Sequence, residues 1–255
     1  MPQPQTVQAI VLSTIRYGES SRIARLATRE LGVQHVIAKG AARPRSRIGG
    51  ALQFLSEGQA MLLPSRSGDL HTLTAFDVSR AHGPLGERLD RFAVGAALAE
   101  VMLRFAPPAP FPAAWELLHD ALALLDVASG DVVDTLGLRM LWRLVSVLGY
   151  EPVVDSCARD GAALPREAAV TFSMTDGGTL CGGCGAGHAG AHLRPADRAD
   201  LAALLDPDAE LPTLDRAHEA AHRRLLARWI RTQQGDGHST PAVDFFEQRP
   251  WEPAA

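Results

Sequence analysis

The apolar residues of this chain change their period near Leu85, and that change limits the fold more than any other feature. Before it, short β-branched runs alternate with turn residues; after it, apolar residues recur at helical spacing. The segments Thr6 to Leu12, Ser21 to Thr28, Val33 to Lys39, Gln53 to Ser56, Gly58 to Pro64 and Leu70 to Phe76 read as short strands, with a turn at Glu30-Leu-Gly32. Five or so short strands in so little chain fit a small barrel. Arg91 to Phe105 is then a helix apolar on more than one face, stopped by Pro107 and Pro108. Ala113 to Ala128 and Val132 to Leu148 continue the pattern, carrying Trp115, Leu118, Leu122 and Leu125, then Leu136, Met140, Leu144 and Val147. Pro195 opens a short helix, and Asp215 to Gln233 supplies an amphipathic one.

Three cysteines interrupt the helices. Cys181 and Cys184 have the Cys-x-x-Cys spacing and trailing Gly185 of a zinc knuckle, a tight turn that aims two thiolates at one cation. Cys157 begins a degenerate copy, with Asp160 where a second cysteine would stand, and Asp176-Gly-Gly between the two units reads as a hairpin turn. Two ligand pairs joined by a hairpin make a zinc ribbon, a structural device. Buried reduced thiols or a redox pair are the alternatives, but no thioredoxin-like context surrounds the motif. A carboxylate can ligate zinc, so Cys157, Asp160, Cys181 and Cys184 form the first expected ligand set, with His188 the rival for the fourth position.

The chain of 255 residues has a net charge of −4 that hides an asymmetry. Residues 1–80 carry ten basic against five acidic groups, a net of +5, whereas 81–150 carry −3 and 151–255 carry −6. A basic first third suggests an anionic partner there. Lys39, Arg43, Arg45 and Arg47 crowd one Gly-, Pro- and Ser-containing loop, where guanidinium groups can follow phosphates. Arg16, Arg22 and Arg25 extend the track, and Tyr17 and Phe54 are candidates to stack bases. No apolar run is long enough to span a bilayer and no secretory pattern opens the chain, so a reducing cytoplasm and no membrane are expected.

His218-Glu-Ala-Ala-His222 matches the H-E-x-x-H pattern of zinc peptidases, with Glu247 a conceivable distant ligand. Against that reading, Arg223, Arg224, Arg228 and Arg231 load the same helix with positive charge, and Leu225, Leu226, Trp229 and Ile230 give it an ordinary apolar face. No phosphate-binding loop, dinucleotide fingerprint or nucleophile elbow is present.

Ala9-Ile-Val-Leu with Tyr17-Gly-Glu-Ser, then Ala38-Lys-Gly-Ala-Ala-Arg-Pro-Arg-Ser-Arg47, resembles the opening of the RecO family of bacterial recombination mediators. Leu148-Gly-Tyr, Cys157, Phe172-Ser, Gly177-Gly and the Cys-x-x-Cys follow in the same order. The resemblance implies an α+β multidomain chain: an N-terminal OB-fold β-barrel, then an α-helical domain with a zinc-ribbon-like insertion. Its boundaries fall at 1–80 for the barrel, 81–150 for the first helical part, 151–192 for the insertion and 193–247 for the second helical part. A tail at 248–255 is expected to fray. The implied function is non-enzymatic: binding single- and double-stranded DNA, annealing complementary strands, and helping to load recombinase on strands coated by single-strand-binding protein. RecR is the implied partner, one zinc the implied cofactor, and the nucleoid-associated cytoplasm the implied location. Family members with a metal commonly offer four cysteines, and Asp160 departs from that pattern. Two other readings compete with the mediator: a zinc peptidase built on His218 and His222, and a zinc-stabilised interaction scaffold.

Overall fold

Val7, Ala9 and Val11 occupy alternate positions of the first strand and are buried, which turns one face of β1 (Gln5–Tyr17) into the wall of a barrel. The structure is a computed structural model that describes residues 3–235 and 239–251. It divides into two compact units, Met1–Ala128 and Ser129–Ala255.

In the first unit, β1, β2 (Ser21–Thr28), β3 (Gly32–Ala38), β4 (Glu57–Leu63) and β5 (Leu70–Arg80) close in the order β1-β2-β3-β5-β4. Only β3 and β5 pair in parallel, so the sheet is a five-stranded OB-like barrel. Ala24, Leu26, Val36, Ala60, Leu62, Leu73 and Phe76 fill it with the β1 residues. The short helix α1 (Arg47–Ala51) follows the basic loop, and Leu52, at its end, joins the same core. Ser46 caps α1, accepting from the Gly49 amide at 3.2 Å.

The expected strand at Gln53 to Ser56 is absent. Leu55 has φ 64°, and the Ser56 hydroxyl donates to the Ala51 and Gln53 carbonyls, so local side-chain bonding closes a turn. Gly32 opens β3 at φ 74°, where an added Cβ would lie 2.1 Å from the Ala109 carbonyl oxygen. Only glycine allows both the turn and the close seating of the loop after α3 (Leu89–Phe105). The short α2 (Gly83–Glu87) and α4 (Pro112–Val127) complete this unit, with Val94, Leu98, Leu118 and Leu122 wholly buried.

The second unit begins with α5 (Val133–Val145), whose last turn widens and ends at Gly149, φ 94°. Strands β6 (Val170–Ser173), β7 (Gly178–Leu180) and β8 (Ala191–Leu193) form a small sheet in the order β7-β6-β8. The short α6 (Gly182–Gly185) carries the knuckle, and α7 (Pro195–Leu205), α8 (Arg216–Gln234) and α9 (Pro241–Gln248) follow. Trp229 of α8 packs against Trp142 of α5 and Phe172 of β6, with ring centroids 6.4 and 5.5 Å away, and donates its indole N–H to the Tyr150 carbonyl at 2.9 Å. Of the tail expected to fray, Gln248 closes α9, Arg249 pairs with Asp134, and Trp251 packs on Phe245. Residues 252–255 lie outside the described residues.

Candidate metal centre and nucleic-acid surface

The knuckle is built by backbone bonding. Cys181 caps α6, its Sγ accepting from the Cys184 amide at 3.4 Å, while the Gly185 amide returns to the Cys181 carbonyl at 2.8 Å. The opposite loop is closed by bonds of 2.8 Å from the Gly161 amide to the Cys157 carbonyl and from the Cys157 amide to the Ala162 carbonyl. Asp160 then splits its duties. Its Oδ1 accepts from the Ala162 amide at 3.0 Å, and its Oδ2 faces Sγ of Cys184 at 3.2 Å and of Cys181 at 3.5 Å.

One ligand atom from each of Cys157, Asp160, Cys181 and Cys184 lies within 4.8 Å of the others, the only such group among the described residues. A tetrahedral zinc with ordinary bond lengths sets its ligand atoms about 3.3–3.8 Å apart, so this spacing fits. The chemistry of the donor set fits too. The Ala162 amide and the surrounding thiols hold the Asp160 carboxyl well below the usual carboxylate range, whereas Asp160 and Cys181 push the Cys184 thiol up to about 12. The group therefore pairs a carboxylate that is already ionised with a Cys184 thiol that holds its proton until a dication takes its place.

His188 goes elsewhere. Its Nε2 lies 2.8 Å from the Ser173 hydroxyl and 3.1 Å from Asp176 Oδ2. Asp176 accepts the Ser173 hydroxyl at 2.5 Å and the Arg159 fork at 3.0 and 3.1 Å, and Arg159 also donates to the Cys184 carbonyl at 3.3 Å. The trio of Ser173, His188 and Asp176 is not a nucleophilic triad, because serine and aspartate meet the same ring nitrogen and leave no relay across the imidazole. It braces one knuckle loop against the other.

The H-E-x-x-H segment forms no metal site. Glu219 is buried and accepts from the Thr135 hydroxyl at 3.1 Å; His218 lies 2.8 Å from Asp215, and Glu247 pairs with Arg231. Burial, reinforced by Asp134, pushes the Glu219 carboxyl up. A glutamate turned into the helix packing cannot serve water on a cation.

On the barrel, Arg16, Lys39, Arg43, Arg45 and Arg47 are exposed and Arg22 half-buried. Arg16 faces Arg22 across the β1–β2 hairpin, Arg22 pairs with Ala38 just before Lys39, and the Ala42 amide ties the basic loop to Ser20 at 2.9 Å. Two like charges in register weaken a hairpin unless an anion lies over them. Arg25 stands apart, three residues on from Arg22 and hence on the outer wall. Tyr17 is 54 % exposed at the end of β1, whereas Phe54 meets the edge of Phe92 at 5.8 Å and is engaged by α3.

Residues 1–82 match the family model for the recombination protein O N terminal and 86–240 that for the recombination protein O C terminal. Together they span most of the chain. The chain belongs to the recombination protein O family. It is 36 % identical to a DNA repair protein RecO of Rubrobacter xylanophilus over 69 % of this chain and 70 % of that protein. With the DNA repair protein RecO of Anaeromyxobacter dehalogenans it shares 33 % identity over 77 % of this chain and 76 % of the relative. One from Nocardioides shares 32 % over 69 % and 72 %. These relatives place this RecO-family chain in DNA repair and recombination. Among the described residues no helix is long and apolar enough to cross a membrane.

Sequence reasoning missed one charged cluster of this family member. His82 is fully buried between Asp126 at 2.7 Å and Glu57 at 3.0 Å, and Glu57 also meets His119 at 2.8 Å. Burial alone would push the His82 imidazolium down, but Glu57 and then Asp126 outweigh it and hold the pKa above its ordinary value. The partners lie 25 to 62 residues apart in sequence, so no spacing announces them.

Proposed function

We propose that this chain is a non-enzymatic recombination mediator whose basic barrel end binds single- and double-stranded DNA. The observation that carries the reading is the grouping of Arg16, Arg22, Lys39, Arg43, Arg45 and Arg47 at one hairpin and its neighbouring loop on an OB-like barrel. Guanidinium groups there neutralise phosphates without reading bases, so binding is sequence-tolerant and salt-sensitive. Tyr17, exposed beside them, offers a face for an unstacked base. Arg25, on the outer wall, contributes to the field rather than to the contact.

Annealing needs no chemical step. Screening the phosphates of two strands and holding them close raises their effective concentration, and pairing then proceeds by itself. Zinc held by Cys157, Asp160, Cys181 and Cys184 supplies structure: four protein ligands leave no open position for a substrate. The zinc insertion at 151–192 is in this reading a separate module from the DNA-binding residues 1–80. Partners are RecR and the apolar, acidic-ended tail of single-strand-binding protein, received by the helical region with modest affinity because that region is net negative. The work is done in the cytoplasm at the nucleoid, where the chain assists recombinase loading. Annealing of complementary oligonucleotides coated with single-strand-binding protein, without any nucleoside triphosphate, tests this. Acceleration by the purified chain is expected; a strict requirement for ATP hydrolysis by this chain would overturn it.

A further inference from the structure

Within the second unit, β8, α7, α8 and α9 line a cleft of about 590 Å³, a size usual for ligand sites. Most charges around it are already matched. Arg194 forks onto Asp197 at 2.8 and 2.9 Å, His218 sits on Asp215, and Arg231 pairs with Asp244 and Glu247. Arg224 and Arg228 are different. Both are exposed, both line the cleft, and among the described residues neither guanidinium has an ion pair or hydrogen bond. They stand out because residues 129–255 carry twelve basic against eighteen acidic groups.

Two further observations point to a ligand. His222 also lines the cleft, is only 3 % exposed, and its Nδ1 meets no hydrogen-bond partner. Met174, Leu193 and Leu225 give the same cleft an apolar wall. Four residues of helix separate the two arginines by about 6 Å along the axis, so both guanidinium groups can reach phosphates of the same strand. Planar guanidinium forks match phosphate oxygens, and flat bases suit an apolar wall.

We propose that this cleft is a second strand site, holding the phosphodiester backbone of a single nucleic-acid strand on Arg224 and Arg228 with bases against Met174, Leu193 and Leu225. The inference rests on the annealing function proposed above, and it supplies what annealing requires: a place for one strand while the barrel holds the other. The surrounding negative charge keeps this site weak, so that a strand can leave once paired.

The test uses full-length, zinc-loaded protein and a labelled oligothymidylate titrated over a range of salt. A barrel variant with Arg16, Arg22, Lys39, Arg43, Arg45 and Arg47 all changed to Glu should keep weak binding with a log–log salt slope of about −1.4, the value for two contacts to a single strand. Adding Arg224→Glu and Arg228→Glu should abolish that residue of binding. In an otherwise unaltered chain the same pair should leave tight binding of the first strand in place and slow annealing about tenfold, that is by about 1.4 kcal/mol in the barrier. Arg224→Gln with Arg228→Gln, which adds no repulsion, should show the same loss in smaller measure, with zinc content and helicity unchanged. The cleft assignment is overturned if the barrel variant binds nothing, if its residual binding survives the added substitutions, or if inorganic phosphate alone binds there and no strand does. Absence of strand binding by the unaltered chain is a separate result, and it defeats the proposed function itself.

Discussion

Asp160 shows how one residue can complete a candidate ligand set. The Cys-x-x-Cys turn was legible because its spacing is short and its bonds are local, but the fourth ligand depends on how two loops meet, which spacing does not encode. Ser173 and Asp176 draw His188 away from the thiols, while Asp160 Oδ2 turns toward them. Asp160→Ala should therefore lower bound zinc measured by metal analysis, and His188→Ala should leave the stoichiometry intact. The reverse pattern would exchange the two roles. Gly32 is a second single-residue constraint. Gly32→Ala should cost about 1–2 kcal/mol from the left-handed backbone alone, and more because its Cβ would meet the Ala109 carbonyl oxygen at 2.1 Å. Urea unfolding measures this directly.

At the scale of elements, β1 to β5 were readable because their buried residues alternate, and α3 to α5 because theirs recur at helical spacing. Gln53 to Ser56 misled for a physical reason: two large apolar residues look like strand, yet Leu55 adopts positive φ and Ser56 bonds back on the chain. β8 has three residues and pairs with β6 about twenty positions away, too little and too distant for periodicity to mark. The His82 clamp joins the start of β4 to α4 by the same kind of distant contact. Its raised pKa fixes the sign of a pH effect. The stabilisation is fully present below the unfolded value, about 6.5, and is lost as pH rises through the higher folded value. The stability advantage of the natural chain over His82→Asn should thus shrink from pH 6 toward alkaline pH; an advantage that grew would contradict the clamp. The knuckle makes a further element-level expectation. Its loops hold few apolar side chains, so chelating the metal should raise amide exchange across residues 155–190 and leave β1 to β5 protected.

Across the whole molecule charge is divided unevenly along the chain. The net +5 of residues 1–80 sits on the barrel, and the later segments are net negative. On the proposed reading, a strand is steered to one part of the chain by long-range attraction, and only local arginines can hold it elsewhere. The central claim is that phosphate contacts at Lys39, Arg43, Arg45 and Arg47 carry the main DNA affinity. Its most direct test is equilibrium binding of a single-stranded oligonucleotide at two salt concentrations, for the natural chain and for the variant with those four residues changed to Glu. The account predicts that affinity falls for every oligonucleotide sequence alike and that the log–log salt slope flattens by up to about 2.8, at about 0.7 per lost contact. A folded variant with unchanged affinity and unchanged slope would contradict it.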